Sequence, residues 1–240
     1  MSGLTGVKAI AGGGWSGYAL KSDGIVWAWG DNEMGQLGNG SVTDSHVPVQ
    51  VSALIGCTGI AAGSMAAYAL KRDGTVWAWG AGNGGALGNS SKTNIDRLPV
   101  EVSGLTDVTA IAAAAGTGYA LKRDGTAWAW GDNEFGQLGN DSYALLTDAP
   151  VEVSGLTGVS AISGGWGSGY ALKADGTVWA WGTNDFGELG NGSTVRSSVP
   201  VQVSGLSGVE AVAAGSMARL RPETGWDGMG LGIQEGRPVG

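Results

Sequence analysis

Apolar and polar positions follow one pattern that recurs four times along the chain. Tyr18-Ala-Leu-Lys-Ser-Asp-Gly-Ile-Val-Trp-Ala-Trp-Gly30 returns as Tyr68 to Gly80, Tyr119 to Gly131 and Tyr170 to Gly182, with the tyrosines 50, 51 and 51 residues apart. A fixed period of this length marks a repeat architecture, in which one supersecondary unit needs its neighbours to cover its apolar faces. In the third unit, Val108 to Ala114 is β-branched and small and reads as a buried strand. Tyr119 to Lys122 and Thr126 to Trp130 read as two more strands joined by Arg123-Asp124-Gly125, and Pro150 to Val153 as a fourth. Asp followed by Gly is hairpin chemistry, because Asp tolerates the turn and Gly takes a positive φ without a Cβ clash.

A period of two assigns the faces. Tyr119 and Leu121 share one side, as do Trp128 and Trp130, with Ala120 and Ala129 pointing the other way. Large residues on one face and small ones on the reverse suit stacked sheets, each Trp face lying on the neighbour's Ala face. Four antiparallel strands per unit, arranged radially, predict an all-β fold, a β-propeller. A parallel β-helix has shorter coils and no need of the Asp-Gly hairpin. Helical repeats are disfavoured because Gly and β-branched residues interrupt every candidate helix.

Composition narrows the functional classes. The 47 glycines sit at fixed repeat positions between apolar segments, which argues for ordered turns. A net charge of −8 without a Lys/Arg cluster argues against binding the nucleic-acid backbone. No stretch is long and apolar enough to insert across a bilayer, and the N-terminus lacks a basic-then-apolar leader. Cys57 is the sole cysteine, and the sole histidine, His46, reads as an exposed loop residue beside Val47-Pro48. No catalytic group, metal-ligand spacing, phosphate-binding loop or cofactor motif stands out, so no enzyme activity, metal or cofactor is expected.

These residues resemble the repeat of the regulator of chromosome condensation family. The match rests on Ile-Ala-Ala-Gly, Tyr-Ala-Leu-Lys-x-Asp-Gly-Thr-Val-Trp-Ala-Trp-Gly, Asn-x-x-Gly-Gln-Leu-Gly-Asn and Pro-Val-x-Val. It covers residues 1 to about 218, in units starting near 1, 51, 102, 153 and 203. The resemblance implies a seven-bladed-type propeller, of which this chain supplies an incomplete arc. Its flavour is bacterial, where such repeats sit in large secreted or surface proteins. The family often carries a His where this chain has Ser16, Ala66, Thr117 and Ser168, and no match to the founder's interaction wedge is present. Nucleotide exchange and nucleosome binding are therefore not carried over. The eight repeat tryptophans are expected in the core.

Both ends depart from the repeat. Met1 stands where the aligned Val153 stands in a later unit, so the N-terminus reads as internal to a longer frame. Residues 219–240 lose the pattern, and a one-nucleotide shift near Ala218 lets Leu220 to Gly232 encode the Tyr-Ala-Leu to Trp-Ala-Trp-Gly motif. The expectation is a frameshifted fifth repeat.

The remaining candidates lie in loops. Asp31, Asn32 and Glu33, with Asp132, Asn133, Glu134, Asn184 and Asp185, place acids and amides at one rim. Such oxygens could meet a ligand or a hard cation, or simply fold the turn through side chain to backbone hydrogen bonds. The second unit has Ala81-Gly82-Asn83 there, so the loop folds without the acids. The function expected is a non-enzymatic binding or scaffold module whose rim contacts a protein or glycan. The alternative is an enzyme or sensor using the propeller centre or its tryptophans. Open end faces predict self-association or a need for the missing blades.

Overall fold

A computed structural model describes residues 4–91 and 93–215 of the 240. It contains four four-stranded antiparallel sheets, each built from consecutive strands. The first blade is β1 (Val7–Gly12), β2 (Ser16–Lys21), β3 (Val26–Gly30) and β4 (Ser45–Gln50). The second is β5 (Cys57–Ala62), β6 (Ala66–Lys71), β7 (Val76–Ala81) and β8 (Ile95–Glu101). The third is β9 (Val108–Ala113), β10 (Thr117–Lys122), β11 (Ala127–Asp132) and β12 (Leu146–Glu152). The fourth is β13 (Val159–Gly164), β14 (Ser168–Lys173), β15 (Val178–Gly182) and β16 (Ser197–Gln202). First strands pack against one another from blade to blade, which places them on the inner side of the arc. The expectations for Met1 and for residues 219–240 lie outside the described residues.

The second and third strands form a tight hairpin. Gly24 N–H donates to Lys21 C=O at 3.0 Å and Lys21 N–H to Ile25 C=O at 3.0 Å, with Gly24 at φ +79°. This is a turn closed by a left-handed glycine, a position where a Cβ is costly. Asp23 Oδ1 accepts from Ile25 N–H, and Asp73, Asp124 and Asp175 repeat that bond. Hydrogen bonding holds all four exposed carboxyls below their ordinary pKa.

Pairing register changes the faces from those expected. Tyr119 pairs with Ala129, Ala120 with Trp128 and Gly118 with Trp130. Directly paired residues share a face, so each face is mixed. Tyr119 and Leu121 lie with Ala127 and Ala129, and the tryptophans lie with Ala120 and Gly118. A large side chain thus stands beside a small one within the blade, and the bulk of each blade enters the gap left by the next. Tyr18, Leu20, Val26 and Ala28 pack on Ala67, Ala69 and Trp79, and the third blade packs on the fourth in the same way. Tyr68 meets Trp130 edge-on with ring centroids 5.5 Å apart, and Tyr18–Trp79 and Tyr119–Trp181 repeat the contact.

One carbonyl joins each pair of blades. Gln36 C=O accepts from Tyr18 Oη at 2.9 Å and from Trp79 Nε1 at 2.8 Å. Ala86 C=O does the same for Tyr68 and Trp130, and Gln137 C=O for Tyr119 and Trp181. Both polar tips of a buried aromatic pair are satisfied by one loop, which fixes the spacing between blades.

The eight repeat tryptophans, expected in the core, are not equally buried. Trp79, Trp130 and Trp181 are 0% exposed, whereas Trp27, Trp77, Trp128 and Trp179 are partly exposed. The latter lie at the hairpin end of the same face, where the covering blade ends. Trp29 is also only partly buried, and Ile10 is 75% exposed, because no described blade packs on the first blade's Trp face. On the fourth blade, Val212 and Ala214 pack on the cluster of Tyr170, Ala180 and Leu189, and Ala214 N–H donates to Ser163 Oγ at 2.9 Å.

Three smaller differences follow from local geometry. The inner strand β9 is only partly buried beyond Val108, since it lies at the inner side of the arc. The outer strand β12 starts at Leu146, before Pro150, because pairing resumes at Gly131–Thr147 after a bulge. Gly131 has φ +100°, and a Cβ there would lie 2.3 Å from Gly116 O, so the bulge needs glycine. His46 lies in β4, exposed, rather than in a loop.

Candidate binding rim

Antiparallel strands give each blade two ends, and these ends differ in chemistry. At the hairpin end, polar groups are spent on one another. In the second blade, Thr75 Oγ1 donates to Asp73 Oδ1 at 2.7 Å and accepts from Trp77 Nε1 at 3.3 Å. Lys71 Nζ lies 3.5 Å from Asp73 and 5.3 Å from the centre of the Trp77 ring. The third and fourth blades repeat the Thr–Asp–Trp chain and the Lys–Trp contact. In the first blade Ile25 replaces the threonine, and the Trp27 indole N–H is buried without a partner. Lys8, Lys21, Lys71, Lys122, Lys173, Arg72 and Arg123 share this end with Asp23, Asp73, Asp107, Asp124, Asp175, Glu101 and Glu152, so charge is nearly balanced.

The opposite end carries the turns between first and second strands and the long loops between third and fourth. Asn32, Asn133 and Asn184 are each 0% exposed. Asn133 Oδ1 accepts from Leu138 N–H, and its amide donates to Ser142 C=O and Ala144 C=O, all at 2.9 Å. Asn32 and Asn184 repeat all three bonds within their own loops. These amides are internal staples. In the second blade Gly82 takes this place, and a Cβ on it would lie 2.2 Å from Thr93 O, so the backbone closes where the amide otherwise sits.

The carboxylates stand outside the staples. Asp31 accepts from Gln36 Nε2 at 2.7 Å, Glu33 and Glu134 are exposed, and Asp132 is partly exposed. Asp185 is exposed and paired with Arg196 at 3.3 Å. Asp44, Asp96, Asp141, Asp148 and Glu188 belong to the same end, and the cations there among the described residues are Arg97 and Arg196. This rim is therefore acidic. The structure brings the expected rim acids to one edge but does not gather them, since each loop belongs to a separate blade. Among the described residues no group of three His, Cys, Asp or Glu side chains converges as a metal site would need. Cys57 is buried between the first two blades, and burial pushes its thiol up to about 11, which leaves little thiolate near neutrality.

Fold and matching sequence agree on what the chain is. The RCC1-like domain model matches residues 2–222. The chain belongs to the RCC1-like domain family. The Ultraviolet-B receptor UVR8 of Arabidopsis thaliana is 34% identical over 193 residues, which is 79% of this chain and 44% of that protein. Human WBSCR16 superposes with a TM-score of 0.82 at 24% identity, over 90% of this chain and 57% of that one. Prp20p from Saccharomyces cerevisiae, a binder of Gsp1p and histones, gives 0.76 at 20% identity, over 90% and 56%. This RCC1-like chain spans about half the length of these relatives.

Side chains that the repeat pattern did not single out also lie on this rim of the RCC1-like domain. The turns between first and second strands present Trp15, 76% exposed, together with exposed Met65 and Trp166. Phe135 stacks at a tilt of 39° on Trp166 with centroids 5.2 Å apart, and the Arg196 guanidinium lies 5.0 Å from the Phe135 ring centre. The signal for them was in the sequence as a break in the repeat. Phe135 occupies the position of Met34, Gly84 and Phe186, and Trp166 that of Gly14, Ser64 and Ala115.

Proposed function

We propose that this RCC1-like chain is a non-enzymatic binding module that presents its loop rim to a protein partner. The contrast between the two rims carries this reading. The hairpin rim repeats one closed network of Lys, Asp, Thr and Trp, whereas the loop rim varies from blade to blade and exposes acids and large apolar side chains. Variable, exposed loops on a rigid scaffold are where binding residues concentrate. Relatives that bind or sense, such as Prp20p with Gsp1p and histones, support the same class. A glycan is the weaker partner, because the rim amides that would read sugar hydroxyls are consumed inside the loops. Enzyme chemistry at the propeller centre has little support, with Cys57 buried and the sole histidine on an outer strand. The uncovered Trp face of the first blade points to further blades or a second copy packing there.

A peptide-library selection on the immobilised protein tests the rim assignment. Selected binders should lose affinity for the triple variant Trp15→Ser, Met65→Ser, Trp166→Ser and keep it for Arg72→Ser, Arg123→Ser at the hairpin rim. Loss at the hairpin variant alone contradicts the proposal.

A further inference from the structure

We propose that the junction of the third and fourth blades on the loop rim docks an arginine- or lysine-bearing protein segment. This rests on the binding-module reading above and adds a location and a partner chemistry. Three pieces of chain meet there: the third blade's long loop with Phe135, the fourth blade's first turn with Trp166, and the fourth blade's long loop with Asp185 and Arg196. Gly167 gives Phe135 its seat, since a Cβ on that glycine would lie 3.0 Å from Phe135 Cδ2. Tyr143 extends the aromatic surface by lying over Gly136, where a Cβ would be 3.0 Å from its ring.

The junction already holds one guanidinium. Arg196 lies over the Phe135 ring while its Nε and Nη2 sit 3.3 and 3.4 Å from the Asp185 carboxylate. An aromatic face beside a carboxylate is the arrangement that holds a partner's cation, through the ring quadrupole and a charge-assisted hydrogen bond together. Trp166, 37% exposed, offers a second aromatic face, and the exposed Glu134 precedes Phe135 in the chain. Among the described blades, the equivalent junctions carry Met34 with Ser64 and Gly84 with Ala115, so the aromatic pair is specific to this one. The surrounding rim is acidic, which steers a basic segment in and repels phosphate, anionic lipid and acidic protein alike.

Fluorescence anisotropy on the 240-residue chain tests the proposal, with a labelled peptide alternating Arg and Gly and its Glu-Gly counterpart as probes. The Arg probe should bind and the Glu probe should not. Trp166→Ser should weaken binding about tenfold, on the order of 1.4 kcal/mol, and Glu134→Gln should weaken it less and flatten its salt dependence. Trp15→Ser, at the equivalent turn of the first blade, should leave it unchanged. Equal loss with Trp15→Ser and Trp166→Ser would reduce the effect to diffuse charge and overturn the site. No binding of the Arg probe, or preference for the Glu probe, overturns the basic partner, while library binders that still depend on the loop rim keep the module reading intact.

Discussion

Trp128 and Trp130 lie on one strand and one face, yet they do different things. Trp130 is enclosed between blades and donates to Ala86 C=O, whereas Trp128 covers the hairpin end beneath Lys122. Trp130→Ala should cost about 3–5 kcal/mol in a denaturant melt and Trp128→Ala about 1–2 kcal/mol. A reversed ranking would mean that the blades stack through the other end. Alternation shows that both rings share a face. It does not show which ring the next blade covers, because that depends on where the covering sheet ends. Trp27 offers a complementary test. Ile25→Thr restores the hydroxyl that the other three blades use, and should add about 1 kcal/mol. An unchanged or lowered midpoint would show that the lost apolar contact of Ile25 outweighs the recovered hydrogen bond.

Hairpins were legible at the scale of elements and the long loops were not. Asp-Gly between two alternating segments specifies its turn locally, and Asp23, Asp73, Asp124 and Asp175 all accept the expected backbone bond. The faces required register, which local alternation leaves open by one residue; pairing Tyr119 with Ala129 mixes large and small on each side. In the long loops, Asn133 and Glu134 are neighbours in sequence and look equally polar, but one is wholly buried and the other exposed. The staple joins residues up to eleven positions apart, beyond any turn motif. Asn133→Ala orphans one N–H and frees two carbonyls, and should cost about 2–4 kcal/mol. Glu134→Ala should stay within about 0.5 kcal/mol. Equal effects on the melting midpoint would contradict the staple.

Across the whole molecule, the same inter-blade joints recur, so stability should respond to pH through them. Burial pushes Tyr18 up to about 12 and raises Tyr68, Tyr119 and Tyr170 as well. Unfolded tyrosines ionise near pH ~10, so the unfolded chain loses these protons first. This contribution is complete below about pH 10 and is lost as pH rises towards the native values. Melting temperature should fall above about pH 10, less steeply in Tyr119→Phe; parallel slopes would show that the tyrosines are not responsible. The uncovered first face, with Ile10 75% exposed and Trp29 partly so, should make the 240-residue polypeptide self-associate at micromolar concentration. Light scattering that returns a monomer mass would contradict this.

Amide hydrogen exchange with and without a library-selected peptide tests the rim assignment most directly. Protection should appear in the first turns and long loops, around residues 63–65, 132–146, 164–167 and 183–196. The hairpins at 21–25, 71–75, 122–126 and 173–177 should be unchanged. Protection at those hairpins, with the loops unaltered, would place binding at the opposite rim and contradict the account.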